Sequence, residues 1–188
     1  MFKIKVIDAI IEHCMNQVEL YNFGKRNQAN GNKEQQLTGI IGQSAVMNLF
    51  GLDLVDGKSG FDNGVDILFA GLRIDVKTMG RTTDVRMNYT NNFLKLQDYF
   101  NTEVYVFCSY NKTNSELTIC GWIDKDSFIS KRKFFEKGTI RTRSNGTTFK
   151  TFADLYEIDN LDLNDVINEH DLQSQLYLFS KQNKQWQQ

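Results

Sequence analysis

The chain has 188 residues, with 22 Lys and Arg against 23 Asp and Glu, 40% hydrophobic residues, 3 cysteines and no proline. That length supports one compact domain with a real core, while a formal charge of -1 excludes a protein that coats nucleic acid by bulk attraction. Cys14, Cys108 and Cys120 lie too far apart for a paired zinc or redox motif, and no long apolar run or basic leader is present, so the expectation is an intracellular protein with no membrane span.

Ile7, Ile10, Ile11, Cys14, Val18 and Tyr21 recur at helical spacing and predict an amphipathic helix over 6–22. Residues 22–33 read as a loop, and a second helix is expected from about Glu34 to Phe50, stopped by Gly51. The glycine-rich 53–64 stretch leads into two short strands, marked by Val65, Ile67 and Phe69 and then by Ile74 and Val76, around Ala70-Gly71. A loop over 78–90 and a helix near 91–100 are expected next, then strands at Val104–Cys108 and Leu117–Ile123, a short helix within 126–135 and a final helix within 165–188. The fold class is α/β, a mixed β-sheet with helices before and beside it. The whole chain reads as a single domain, with a helical region 1–50, a central core 51–123 and a basic and acidic extension 124–188.

Period two places Arg73, Asp75 and Lys77 on one face of the second strand, and a hairpin would bring Asp66 close to Asp75. Two carboxylates with an ammonium beside them suit the hydrolysis of a phosphodiester, which repels anionic nucleophiles and gains oxygen charge as it is attacked. On this reading Asp66 and Asp75 hold Mg²⁺, with Mn²⁺ as a substitute, and the Val76 carbonyl is a further ligand. Lys77 positions water and stabilises the anionic transition state.

The segment Asp66 followed by Asp75-Val-Lys77, with Gly39-Ile-Ile-Gly-Gln43-Ser-Ala-Val46 ahead of it, resembles the PD-(D/E)XK nuclease superfamily. Val65 stands where the family's motif has proline. The resemblance implies a restriction-endonuclease-like core, a metal-dependent DNA endonuclease activity and a site made of Asp66, Asp75, Lys77 and Gln43. Gln43 occupies the position where the family often carries a glutamate, and its amide oxygen accepts without contributing charge. It therefore favours the alternative class, a catalytically weak or inactive nuclease-like DNA-binding or protein-interaction domain.

Residues 131–150 hold seven basic residues and only Glu136, while 151–171 holds seven acids and no Lys or Arg. Lys131, Arg132, Lys133, Arg141 and Arg143 are the expected phosphate contacts, with Arg81 and Arg86 nearer the metal motif to hold the scissile strand. DNA is the expected partner. A homodimer would suit paired cuts in a duplex.

Overall fold

The computed structural model describes residues 1–23, 31–59, 64–142 and 146–185. A short strand, β1 (Phe2–Lys5), leads into two helices, α1 (Asp8–Leu20) and α2 (Lys33–Leu49). The start of α2 is set by a reciprocal cap: the Gln35 backbone N–H donates to Asn32 Oδ1 at 2.9 Å, and the Asn32 N–H donates to Gln35 Oε1 at 3.0 Å. Gly51, with φ +67°, follows the end of α2 as the sequence predicts.

The expected hairpin is present as β2 (Ile67–Phe69) and β3 (Leu72–Arg81), paired antiparallel with Ile67 opposite Ile74. Its two connecting residues, Ala70 and Gly71, both have positive φ, 52° and 87°, as a type I′ turn requires. Gly71 adopts this freely, but Ala70 carries a Cβ into the left-handed region, where Asn is far better tolerated. Ala70→Asn is therefore expected to stabilise the protein by about 0.5–1 kcal/mol, read as a higher midpoint of thermal or urea unfolding.

The chain continues through β4 (Thr90–Leu94), β5 (Val104–Asn111), β6 (Glu116–Asp124), α3 (Lys125–Lys131), β7 (Lys133–Phe135), β8 (Ile140–Thr142), β9 (Thr148–Lys150), β10 (Leu155–Asp159) and α4 (Glu169–Gln185). Among the described residues the strands form a five-stranded sheet in the order β1-β6-β5-β3-β2, a three-stranded sheet β4-β10-β7, and the β8-β9 hairpin. The large sheet is mixed: β3 and β5 run parallel, and its other pairs are antiparallel.

Two differences from the sequence reading concern the site. Thr78–Arg81, expected to open a loop, continue β3, because the parallel ladder with β5 runs from Ile74 opposite Val104 through Arg81 opposite Asn111. Residues 91–100, expected as a helix, are β4 followed by a single 3-10 turn at Lys95–Gln97. Buried Asn91 and Phe93 alternate with partly exposed Thr90, Asn92 and Leu94, which is strand periodicity disguised by a buried asparagine. The Asn91 amide donates to Asn160 Oδ1 at 2.7 Å.

The two faces of the large sheet bury separate apolar clusters. On one face Ile74, Val76, Val104 and Val106 pack against Ile10, Cys14 and Val18 of α1 and Ile40, Ala45 and Val46 of α2. On the other, Tyr105, Phe107 and Ile123 meet Phe93, Phe128 and Ile158. No helix among the described residues is long and apolar enough to cross a membrane.

Cys14, Cys108 and Cys120 are free, buried thiols. Burial raises all three above their ordinary value, Cys120 to about 12. The folded state keeps these groups protonated while the unfolded chain ionises them from pH ~8.5 upward. Their contribution is thus fully present below that pH and is lost as pH rises toward 12. The urea midpoint should fall between pH 8 and 10, less steeply in Cys120→Ala, and a thiol reagent should label the protein only as it unfolds.

Candidate active site

The β2-β3 ladder ends at Ile74, and Asp66 takes the next place along that edge of β3. Its backbone N–H donates to the Ile74 carbonyl at 2.9 Å, and its Oδ2 accepts from the Val76 N–H at 2.6 Å. The carboxylate thus substitutes for a strand peptide. Odd-numbered peptide groups of β3 face β5, as the bonds to the Arg73 and Arg81 carbonyls show, so the Val76 carbonyl faces the same edge as Asp66.

Two glycines fix the approach of neighbouring elements to this edge. A Cβ on Gly42 would lie 1.9 Å from Thr78 Oγ1, so its absence lets α2 settle against β3 and sets Gln43 beside the site. Gly64, two residues before Asp66, has φ +77°, and a Cβ there would meet the Phe100 ring at 2.4 Å. Its carbonyl also accepts from the Thr102 hydroxyl at 2.7 Å, which ties the run into Asp66 to the segment ahead of β5.

Asp75 and Lys77 stand on the other face of β3 from Ile74 and Val76. Asp75 is 2% exposed, and the Lys77 ammonium lies 2.6 Å from its Oδ2. The same ammonium sits 5.5 Å from the centre of the Phe93 ring. Tyr105 is opposite Asp75 in the parallel ladder, and burial, reinforced by the Asp75 charge, pushes its hydroxyl well above the ordinary phenol value.

A cleft of about 850 Å³ gathers these groups: Asp66, Asp75, Val76, Lys77 and Gln43 all line it. Asn92 of β4, Gln97 and Phe152 line it as well. Asn92 was hidden from the sequence reading by the expected helix, whose period obscured that β4 faces the site. Glu34 and Lys112 sit at the cleft paired with each other at 2.6 Å. Among the described residues no three His, Cys, Asp or Glu side chains converge in a metal-binding group. With Glu34 paired to Lys112, the oxygen donors left for an ion at the cleft include the Asp66 and Asp75 carboxylates, the Val76 carbonyl and the Gln43 amide, a set that fits Mg²⁺, which keeps several waters and needs only one or two carboxylates.

The expected phosphate contacts lie elsewhere. None of Arg81, Arg86, Lys131, Arg132, Lys133 or Arg141 lines the cleft, and Arg143 lies outside the described residues. Arg132 makes a two-pronged ion pair with Asp98, and its guanidinium stacks 3.7 Å from the centre of the Tyr156 ring. Arg141 pairs with Glu157 through both prongs, at 3.1 and 2.6 Å, and covers the Phe135 ring. Lys133 reaches Asp159 at 3.2 Å, and the Lys131 ammonium donates to the Asp162 carbonyl. Arg81 donates to Ser109 and to the Thr90 carbonyl and lies over Tyr89, while the Arg86 residue is exposed. Within the basic segment, Lys133 and Arg141 are thus paired with carboxylates of the acidic segment that follows it, and Arg132 with Asp98.

Comparison with protein-family models, with curated proteins and with solved structures returns no match for this chain.

Proposed function

We propose that the protein is a Mg²⁺-dependent DNA nuclease of the PD-(D/E)XK kind, acting as an endonuclease. The observation that carries this reading is the convergence of Asp66, Asp75, Lys77 and Gln43 on one cleft, with the Asp66 carboxylate laid along the edge of β3. The restriction-endonuclease-like form of the fold is supported by the β2-β3 hairpin, the strand parallel to β3 beside it and the helix packed before them.

Asp66, Asp75 and the Val76 carbonyl would hold the ion, and Gln43 would hold one of its waters. A bound Mg²⁺ supplies Lewis-acid polarisation of the phosphoryl oxygens and a more acidic water. Lys77, fixed by its pair with Asp75, would place a positive charge where the attacked phosphate gains negative charge. Water adds to phosphorus, the bond to one sugar oxygen breaks, and a proton goes to that oxygen. Burial of the Asp75–Lys77 pair fits this role, because a charge pair removed from water is costly unless it serves a site or is well satisfied.

The test is cleavage of circular single-stranded, circular duplex, linear duplex and branched DNA with Mg²⁺, Mn²⁺ or chelator, followed by mapping of the ends. Metal-dependent opening of a circle supports the endonuclease. Activity confined to linear DNA would make it an exonuclease, and a folded protein that binds DNA yet cuts nothing would make it the inactive binding domain.

A further inference from the structure

We infer that the cleft takes an unpaired stretch of DNA, with Phe152 stacking on a base and side-chain amides reading base edges; this rests on the nuclease reading. Charge is the first argument. Duplex DNA carries one negative charge per ~1.7 Å of helix axis and is held by multiple cations. The cleft offers the ammoniums of Lys77 and Lys112 against the carboxylates of Glu34, Asp66 and Asp75, and both ammoniums already pair with carboxylates. Arg132, Lys133 and Arg141, which would otherwise widen the phosphate footprint, are occupied as well.

What the lining does offer is suited to bases. Gln43, Asn92 and Gln97 bring amides from α2, β4 and the 3-10 turn to one space. An amide carries a donor and an acceptor, as a base edge does. Gln97 is only 5% exposed, and its amide makes no hydrogen bond to another described residue, so its donor and acceptor are left to water or to a ligand in the cleft. Gln35 and Gln36 differ: the first is held in the α2 cap, and the second bonds the Phe23 N–H and the Gly31 carbonyl.

Phe152 supplies the platform. It lines the cleft yet is 60% exposed, between buried Thr151 and buried Leu155, which anchor the backbone on either side. A large ring held at the wall of a cleft that also presents side-chain amides is what a stacked base requires, and bases present their faces and edges together only when they are unpaired.

The experiment measures binding of a labelled thymidine-rich DNA 12-mer, the corresponding 12-base-pair duplex and the same strand as RNA, in Ca²⁺ and in chelator. The proteins are wild type, Phe152→Ala, Phe152→Trp and, as an exposed aromatic on α4, Tyr177→Ala. The single strand should bind more tightly than the duplex or the RNA. Phe152→Ala should weaken it roughly 5- to 150-fold, the range for one lost base stack, whereas Phe152→Trp and Tyr177→Ala should bind like wild type. A tighter duplex, a tighter RNA, or single-strand affinity indifferent to Phe152→Ala in a folded protein overturns the inference. Cleavage of circular single-stranded and duplex DNA in Mg²⁺ is scored separately. Cutting of duplex with no single-strand preference rejects the inference and keeps the nuclease, and binding without cutting of any substrate rejects the nuclease.

Discussion

Asp75→Asn is expected to reduce DNA cleavage in Mg²⁺ by about 10³-fold or more, which corresponds to ~4 kcal/mol of lost transition-state stabilisation. The substitution keeps the size and one acceptor oxygen of a side chain that is 2% exposed, so the fold should survive it. What disappears is a negative charge at the cleft and the partner that fixes Lys77. Lys77→Ala should cut as poorly for a different reason: Mg²⁺ still binds, but the charge facing the reacting phosphate is gone. Calorimetric Mg²⁺ binding separates the two, with affinity lost in Asp75→Asn and largely kept in Lys77→Ala, while DNA affinity stays near that of wild type in both. Partial recovery of Asp75→Asn in Mn²⁺ is expected, since that ion tolerates a depleted ligand set better. Wild-type cleavage by both variants would remove the activity from this strand.

Arg132→Ala is expected to cost about 2–3 kcal/mol of stability. Its side chain is 12% exposed, grips Asp98 with both prongs and lies flat over Tyr156. Truncation leaves the Asp98 carboxylate without this charge partner and removes the cation from the Tyr156 ring and from the nearby Phe128 ring. Lysine should restore less than half of the loss, because an ammonium neither forks nor stacks as a guanidinium does. Urea unfolding of the three proteins gives the values directly. The experiment also tests the role expected for Arg132 in the sequence: if phosphate contact is its main task, DNA affinity will fall while stability stays close to wild type.

The helices were readable because their signals are local. The apolar stripe of α1 and the Asn32–Gln35 cap with Gly51 behind α2 sit within a few residues of what they control. The hairpin was readable for the same reason, and with it the grouping of Asp66, Asp75 and Lys77. What stayed hidden depends on distant partners. Asn91 looks like a surface residue until Asn160, 69 positions away, is brought to it. Thr78–Arg81 look like a loop until β5 supplies their ladder. Arg132 and Arg141 look like a nucleic-acid surface because their carboxylate partners lie 34 and 16 residues away, beyond any local pattern.

The strand pairing also dictates when the cleft can exist. β1 finds its partner β6 more than a hundred residues later, β4 waits for β10, and β3 gains its parallel neighbour only after β4 has been passed over. Ladders closed over such long loops must meet their entropy before they are rewarded, so this topology belongs with slow folders, on the order of milliseconds to seconds. A growing chain that has just released β3 already carries Asp66, Asp75 and Lys77, but it has neither the β4 wall nor Phe152. The cleft is thus completed late, when the last strands lock in.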